Sequence, residues 1–346
     1  MERDGAGDPA LRLLWGRADA GPGRPWTVVL PVVFLVVAAW QSIGAILEPG
    51  LIGSHAVFYT AAARAWLQGS NPWTVGPPAV VFAGPPTMLL PFVPFVPLPD
   101  ELVRAVWVVG DLMVAVLAVR VLRLPLWWLA FPPLVSAIEL GHPEVLVLGL
   151  LLIAGPLAGL APVIKPYAAF PLFAERNWRA LALAAVVVVV TAPVLPWAMF
   201  VENLPRISQT LAAQNVGDSV FGQPVLMAVA LGCVVLVGVR RFLWLATPVL
   251  WPAAQPIYKV PSMPMLAPLL ALCWAIPVPG MTLVGLVVFG AGVFAARRRR
   301  LPPWLERGLG SPLLEAAVPV GLAFATASSS PAVPPAGVRR IVRKVS

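Results

Sequence analysis

Long apolar runs, separated by prolines and short polar stretches, make up most of this chain. A helix needs about 20 apolar residues to cross a bilayer. Several runs approach or reach this length without a break: 27–47, 102–121, 180–200, 223–239, 260–276 and 279–296. Shorter or proline-broken candidates are 79–98, 125–140, 143–160, 161–174 and 242–256, with a weak last one at 312–327. The pattern predicts roughly ten to twelve crossings.

The composition favours the same interpretation. The chain has 346 residues, of which 59% are hydrophobic and 11% charged, whereas soluble domains carry about 25% charged residues. Backbone exposed to lipid must satisfy its own hydrogen bonds. We therefore expect an all-α polytopic membrane protein, with a cytoplasmic segment 1–26, a transmembrane domain 27–296 and a basic tail 297–346 rich in proline, alanine and serine.

The net charge of +9 lies mostly in arginines at the ends of apolar runs. Such residues act as topology signals, so the charge indicates membrane lipids rather than nucleic acid as a partner. The N-terminal arginines predict a cytoplasmic N-terminus, which places 48–78 and 255–260 on the outer face. The side on which Arg297–Arg300 lies remains open.

The stretch Ser54–Trp73 follows the first apolar run but is not itself a span. Tyr59, Ala63, Trp66 and Leu67 fall on one face of a helix, which Gly69-Ser70-Asn71-Pro72 would end. This pattern predicts an amphipathic helix lying at the outer membrane surface. A site there would face both lipid head groups and water.

Prolines cluster in several apolar segments in a way that a straight helix does not tolerate. They are Pro85, Pro86, Pro91, Pro94, Pro97, Pro99, Pro132, Pro133, Pro162, Pro166 and Pro171. Broken helices at membrane depth persist where they pack in protein or line a cavity. These segments are predicted to shape a cavity, the alternative being a general abundance of proline in the chain.

Ionisable residues within apolar sequence are candidates for function. Glu139, His142 and Glu144 fall within six residues and would form an acid–base cluster or a metal site, or only a solvated loop. The span count puts this loop on the inner face unless a segment is re-entrant. Lys165 is predicted to bind phosphate, the alternative being a lysine that extends to the membrane surface.

Other polar candidates lie on the predicted outer face. Gln255, Tyr258 and Lys259 would hold a lipid phosphate or a sugar hydroxyl, or form a plain loop. Glu48 and His55 flank the start of the amphipathic helix, and either is suited to act as a general base. The sequence has no glycine-rich phosphate loop, GxSxG or HExxH pattern. We expect no cofactor and no metal.

Five short motifs, in order over roughly residues 30–275, resemble a family of GT-C glycosyltransferases. This is the bacterial α-1,2-mannosyltransferase-like family (glycosyltransferase family 87), which has actinobacterial members. The motifs are Phe58-Tyr59-x-Ala61-Ala62-x-Arg64 with Gly69-x-Asn71-Pro72-Trp73, then Gly84-Pro85-Pro86, Gly141-His142-Pro143-Glu144, Gly159-Leu-Ala-Pro-Val-Ile-Lys165-Pro166, and Trp251-Pro-Ala-Ala-Gln255-Pro-Ile-Tyr258.

The resemblance implies a GT-C-like bundle in a bacterial plasma membrane that acts on the extracytoplasmic side. The sugar that the resemblance implies is mannose, and it would pass from a polyprenyl-phosphate donor to a cell-envelope glycolipid or glycan acceptor. It implies donor binding by Tyr59, Arg64, Asn71, His142, Glu144, Lys165, Gln255, Tyr258 and Lys259.

The chain departs from the family where the catalytic aspartate would lie, because Ser54-His55 stands there. Either Glu48 or His55 is the base, or the protein is a catalytically inactive relative that binds polyprenyl lipid or a partner protein. A transporter of lipid-linked sugars is a further alternative. Against transport, the chain lacks the repeated halves that many transporters show.

Overall fold

A computed structural model describes residues 26–76, 82–153, 155–213, 219–252 and 255–297. Within these ranges the chain is helical and contains no strand. The predictions for the N-terminal segment 1–25, for residues 298–300 and for the tail with its last candidate span at 312–327 lie outside the described residues.

The α-helices are Trp26–Leu47, Ser54–Leu67, Asp100–Val121, Pro132–Leu140, Glu144–Leu152, Leu160–Ile164, Ala169–Ala174, Trp178–Thr191, Trp197–Ala213, Pro224–Val237, Val239–Leu250, Pro268–Ala275 and Met281–Arg297. Short 3₁₀ helices connect them: Pro49–Leu51, Pro72–Thr74, Pro86–Phe95, Leu126–Ala130, Pro156–Gly159, Pro166–Ala168 and Pro256–Met265. Every one of these 3₁₀ helices except Leu126–Ala130 begins at a proline, consistent with the preference of proline for the first helical turn.

Two of the described helices, Trp26–Leu47 and Asp100–Val121, are long and apolar enough to cross a membrane. A third crossing is added if Pro132–Leu140 and Glu144–Leu152, bent by 115° at a short break, are one span. Four shorter apolar helices accompany them. The protein is thus an α-helical membrane protein, as the composition predicted, while the total of ten to twelve crossings stays a prediction.

Two of the predicted spans are each divided between two helices in the structure. The run 180–200 is divided between Trp178–Thr191 and Trp197–Ala213, with Pro193 and Pro196 in the intervening turn. The run 260–276 begins inside the 3₁₀ helix Pro256–Met265 and continues in Pro268–Ala275. Proline removes a backbone donor and clashes with the preceding turn, so apolar character alone did not make these runs continuous.

The amphipathic helix after the first span is Ser54–Leu67, called here the site helix. It starts after Gly53, whose φ of 65° places it in the left-handed region. A Cβ on Gly53 would lie 2.7 Å from the Cβ of Arg104, so this close approach requires glycine. The helix packs against Pro86–Phe95 and Asp100–Val121, with its buried side on the protein.

The site helix is buried mainly in its N-terminal half. Ala56, Tyr59, Thr60 and Ala63 are buried, at the spacing i, i+3, i+4 and i+7 expected for one helical face. Tyr59 and Ala63 belong to the face predicted from the sequence, whereas Leu67, at the end of the same face, is 53% exposed.

The proline-broken segments occupy the interior. The 3₁₀ helix Pro256–Met265 packs against Val239–Leu250 and against both halves of the bent pair. In this 3₁₀ helix nine of the ten residues are buried. These segments therefore bring together residues that are far apart in the sequence, whereas the cavity that the proline pattern predicted stays a prediction.

Candidate functional site

A cluster of polar side chains is buried where four segments meet, and we call it the polar cluster. It consists of His55 and Tyr59 from the site helix, His142 and Glu144 from the bent pair, Lys165 and Tyr167 from the short turns after Leu160, and Tyr258 from the 3₁₀ helix Pro256–Met265. All except His55 are less than 9% exposed. Six of the seven were candidates on sequence grounds.

The bend between Pro132–Leu140 and Glu144–Leu152 places His142 in the cluster. Gly141 adopts the left-handed conformation, with φ of 65°, and ends the first half. A Cβ there would lie 3.1 Å from the Cβ of Ala56 on the site helix. The loop therefore lies against the site helix, even though simple span counting placed the two on opposite faces. The bent pair is either a re-entrant loop, which the sequence analysis raised as an exception to the span count, or one broken span.

Tyr59, His142 and Glu144 form a continuous relay. The Tyr59 hydroxyl is 2.9 Å from Nε2 of His142, and Nδ1 of the same ring pairs with the Glu144 carboxylate. An ionised carboxylate only accepts hydrogen bonds, so the pairing assigns the ring proton to Nδ1. Nε2 then accepts from Tyr59. The carboxylate thus fixes both the tautomer and the orientation of the ring.

Glu144 is the centre of the cluster. Its Oε1 accepts a hydrogen bond from the Tyr167 hydroxyl and lies 3.6 Å from Nζ of Lys165. The carboxylate is completely buried, where an uncompensated charge would be costly. His142, Tyr167 and Lys165 together therefore compensate the buried negative charge of Glu144.

Aromatic rings surround the ammonium group of Lys165. Its Nζ is 5.8 Å from the ring centroids of both Tyr59 and Tyr258. Tyr258 packs edge-on against Tyr167, which in turn meets Trp251 at 5.1 Å between centroids. The faces of aromatic rings attract cations. This arrangement holds the lysine in place without neutralising it and leaves an apolar wall beside it.

His55 lies at the edge of the cluster, with its ring centroid 4.9 Å from that of His142. Its Nδ1 is buried and has no hydrogen-bond partner among the described residues. Burial lowers the pKa of His55 to about 4, and the positive charge of Lys165 adds to the effect. The ring is therefore neutral at pH 7 and retains a nitrogen lone pair for a ligand.

Several residues predicted for the site lie outside these contacts. Glu48 is exposed at the end of the first long helix. Arg64 donates to the Val96 carbonyl at 3.2 Å and lies 3.9 Å from Asp100. The Asn71 side chain accepts from the Trp73 backbone and starts a 3₁₀ turn. These contacts account for Arg64 and Asn71 structurally.

The remaining two candidates, Gln255 and Lys259, flank Tyr258 in the same segment. Gln255 is partly buried where the 3₁₀ helix begins, whereas Lys259 is completely buried. Lys165 and Lys259 are thus both buried lysines in segments that contribute to the cluster. The described residues contain no group of three or more histidine, cysteine, aspartate or glutamate side chains that could hold a metal ion.

Sequence reasoning missed Tyr167. An aromatic residue in an apolar segment usually belongs to the core, so the pattern gave no reason to select it. The available signal was its position directly after Lys165-Pro166, at the end of a motif already selected. Because the turn Pro166–Ala168 follows immediately, the two side chains reach the same carboxylate.

The polar cluster combines a positive charge, a neutral histidine with an open nitrogen and several phenol groups in a buried setting. Lysine suits a phosphate as a point charge, and aromatic walls suit a sugar ring or an apolar chain. Together, fold and cluster define an all-helical membrane protein with a buried polar site. The chain matches no protein-family model, no curated protein and no solved structure.

Proposed function

We propose that this protein is an integral-membrane glycosyltransferase that takes its sugar from a polyprenyl-phosphate donor. The finer fold proposed with it is a GT-C-like bundle in a bacterial plasma membrane, with the site open to the extracytoplasmic side. The acceptor is a hydroxyl group of a cell-envelope glycolipid or glycan.

One observation carries the proposal. Four of the five motifs that resemble the family contribute a side chain to one buried cluster: Tyr59, His142 with Glu144, Lys165, and Tyr258. The first and last of these residues are 199 positions apart in the chain. Short motifs that resembled a family by chance would have no reason to meet in space.

The charge of the cluster supports an anionic ligand. Glu144, which lies 3.6 Å from Nζ of Lys165, is also engaged by His142 and Tyr167, so the buried ammonium group of Lys165 shares its counter-charge with two other groups. Buried charge is stabilised when a partner of opposite sign enters. The phosphate of a lipid-linked sugar supplies such a charge, and its polyprenyl chain stays in the bilayer.

In the proposed reaction Lys165 holds the donor phosphate, and His55 faces the acceptor hydroxyl. The acceptor oxygen forms a bond to the anomeric carbon as the bond from that carbon to the phosphate oxygen breaks. The phosphate leaves with the bonding electron pair, and the hydroxyl proton passes to His55. Attack opposite the leaving group inverts the anomeric centre. Positioning and phosphate stabilisation would supply most of the rate enhancement.

A second function is favoured by a separate observation. The single carboxylate of the cluster, Glu144, is already engaged by His142, Tyr167 and Lys165. The polar cluster therefore contains no carboxylate with an oxygen atom free to act in catalysis. This arrangement suits a relative that binds the polyprenyl-phosphate lipid without transferring its sugar.

The decisive measurement is transfer of radiolabelled mannose from polyprenyl-phosphate-mannose to membrane glycolipids by the purified protein. We expect His55→Ala to lower the rate roughly 10²–10⁴-fold, the range for loss of a general base, and Lys165→Met to abolish donor binding. Glu48→Gln should leave the rate unchanged, because the side chain is exposed and outside the cluster.

The outcomes separate the two functions. Transfer that persists in His55→Ala but falls in Glu48→Gln would move the base to Glu48. Donor binding by the unmodified protein, lost in Lys165→Met and accompanied by no transfer to any acceptor, would support the non-catalytic function. Absence of donor binding by the unmodified protein would overturn both.

A further inference from the structure

A cavity lies outside the polar cluster, between the first long helix and the first half of the bent pair. Its volume is about 190 Å³, enough for about six waters at roughly 30 Å³ each. Gln41, Ser136 and Glu139 provide its polar lining, and Gly44 and Ala45 form a wall of small residues. A cavity of this size fits one small polyhydroxylated group.

The polar lining offers both donors and acceptors. The Ser42 hydroxyl donates to Oε1 of Glu139, which leaves the other carboxylate oxygen available to the cavity. Oε1 of Gln41 is buried and has no hydrogen-bond partner among the described residues. A buried polar atom without a partner is destabilising. Amide and hydroxyl groups donate as well as accept, which matches the hydroxyls of a sugar or polyol.

The rest of the cavity lining is apolar. It includes Leu51, which is 40% exposed, and Leu140. No lysine or arginine of the described chain lines the cavity. An anionic head group would therefore meet Glu139 without compensation, whereas a neutral head group with an apolar tail matches both the polar and the apolar parts of the lining.

We infer that this cavity binds the neutral, polyhydroxylated head group of a glycolipid whose tail leaves the cavity past Leu51. The backbone N–H of Gly53 donates to the Glu139 carbonyl at 2.7 Å, so the cavity wall is tied to the turn that precedes His55. Its role as the acceptor subsite rests on the proposed function, whereas binding of the glycolipid does not.

The test measures binding of a monohexosyl diacylglycerol to the full chain in zwitterionic micelles by native mass spectrometry. Diacylglycerol without the sugar and phosphatidylglycerol are the comparison ligands. We expect the glycolipid to bind at least tenfold more tightly than either. Glu139→Gln should weaken it about tenfold, the size of one lost hydrogen bond to a charged group, while an acceptor oxygen for Ser42 remains.

A pair of glycine substitutions provides the steric test. Gly44→Leu places a side chain against the cavity and should abolish glycolipid binding. Gly232→Leu is the matched control, because both glycines are helical and an added Cβ at either meets nothing within 4 Å. Equal binding of glycolipid and diacylglycerol, or binding that Gly44→Leu leaves intact, would overturn the inference.

Binding of polyprenyl-phosphate-mannose is measured on the same preparations. Glycolipid binding without donor binding would leave the cavity assignment standing and overturn the proposed function. Donor binding and transfer to a glycolipid that persist in Gly44→Leu would retain the function and place the acceptor elsewhere, which overturns the role of the cavity as the acceptor subsite.

Discussion

The two long straight helices and the proline-broken segments differ in what they bury. In Trp26–Leu47 and Asp100–Val121 only 28% and 33% of the most apolar window is buried in the protein. In the 3₁₀ helix Pro256–Met265 nine of ten residues are buried, including Lys259 and Ser262. The straight helices present apolar side chains outward, whereas the broken segments enclose polar ones.

The contrast has a physical origin. A regular helix satisfies its own backbone and can face lipid along most of its surface. A proline-broken segment leaves backbone groups without helical partners and must be enclosed by protein. Thr87, for example, donates its hydroxyl to the Val163 carbonyl at 2.5 Å, linking two such segments. Enclosure also provides the compensation that buried polar side chains such as Glu144 require.

The largest expected effect comes from removing the charge at the centre of the cluster. We expect Glu144→Gln to lower the free energy of unfolding by about 3–5 kcal/mol, because it leaves Lys165 buried without its partner. The measurement is unfolding by sodium dodecyl sulfate in mixed micelles, followed by tryptophan fluorescence.

Glu175→Gln is the control, since Glu175 pairs with Arg240 at 2.6 Å in a partly exposed position. Exposed pairs are worth at most about 1 kcal/mol, and the amide oxygen still accepts from Trp244. If the two variants lost equal stability, the distinction between enclosed and exposed regions would fail for charged groups.

A smaller effect is expected from the pH dependence of His55. The pKa of this group falls from 6.5 in the unfolded chain to about 4 in the folded protein. Between these values the unfolded state binds more protons, so stability decreases as the pH falls from 6.5 towards 4. The contribution is at most about 3 kcal/mol and is fully present above pH 6.5.

His55→Phe isolates this contribution, because the other histidine of the chain remains in both proteins. The difference in unfolding free energy between the protein and the variant is measured at pH 7 and at pH 4.5. The variant should lose less stability on acidification. A difference that is constant with pH would show that His55 is solvated in the folded protein.

The sequence was sufficient for the regions that face lipid. Residues such as Val36, Ile43 and Leu117 are exposed, and an unbroken apolar run is what lipid contact requires. The starts and ends of the two long helices therefore agree with prediction to within two residues. The position of the site helix was also predictable, because Gly69 and Pro72 end the helical pattern.

The interior was only partly predictable. Charge in an apolar context identified Glu144 and Lys165, but nothing local indicated that they are 3.6 Å apart. Their meeting depends on the bend at Gly141 and on the turn at Pro166, whose angles are set by packing. The exposure of Leu67 was not predictable for the same reason, because a helical period defines a face but not which part of that face meets the protein.

The smallest expected effect tests backbone packing in the two regions. Gly159 ends the 3₁₀ turn Pro156–Gly159, where an added Cβ would clash with the Ala180 carbonyl group, lying 2.9 Å from its carbon. Gly159→Ala should therefore cost about 1–3 kcal/mol. Gly110 lies in the straight helix Asp100–Val121, with nothing within 4 Å of an added Cβ, so Gly110→Ala should stabilise by about 0.5–1 kcal/mol. The two substitutions should therefore change the free energy of unfolding in opposite directions in the same assay, because only the enclosed turn lies close to another segment. A loss of stability at both positions would mean that the straight helix is also closely packed at Gly110.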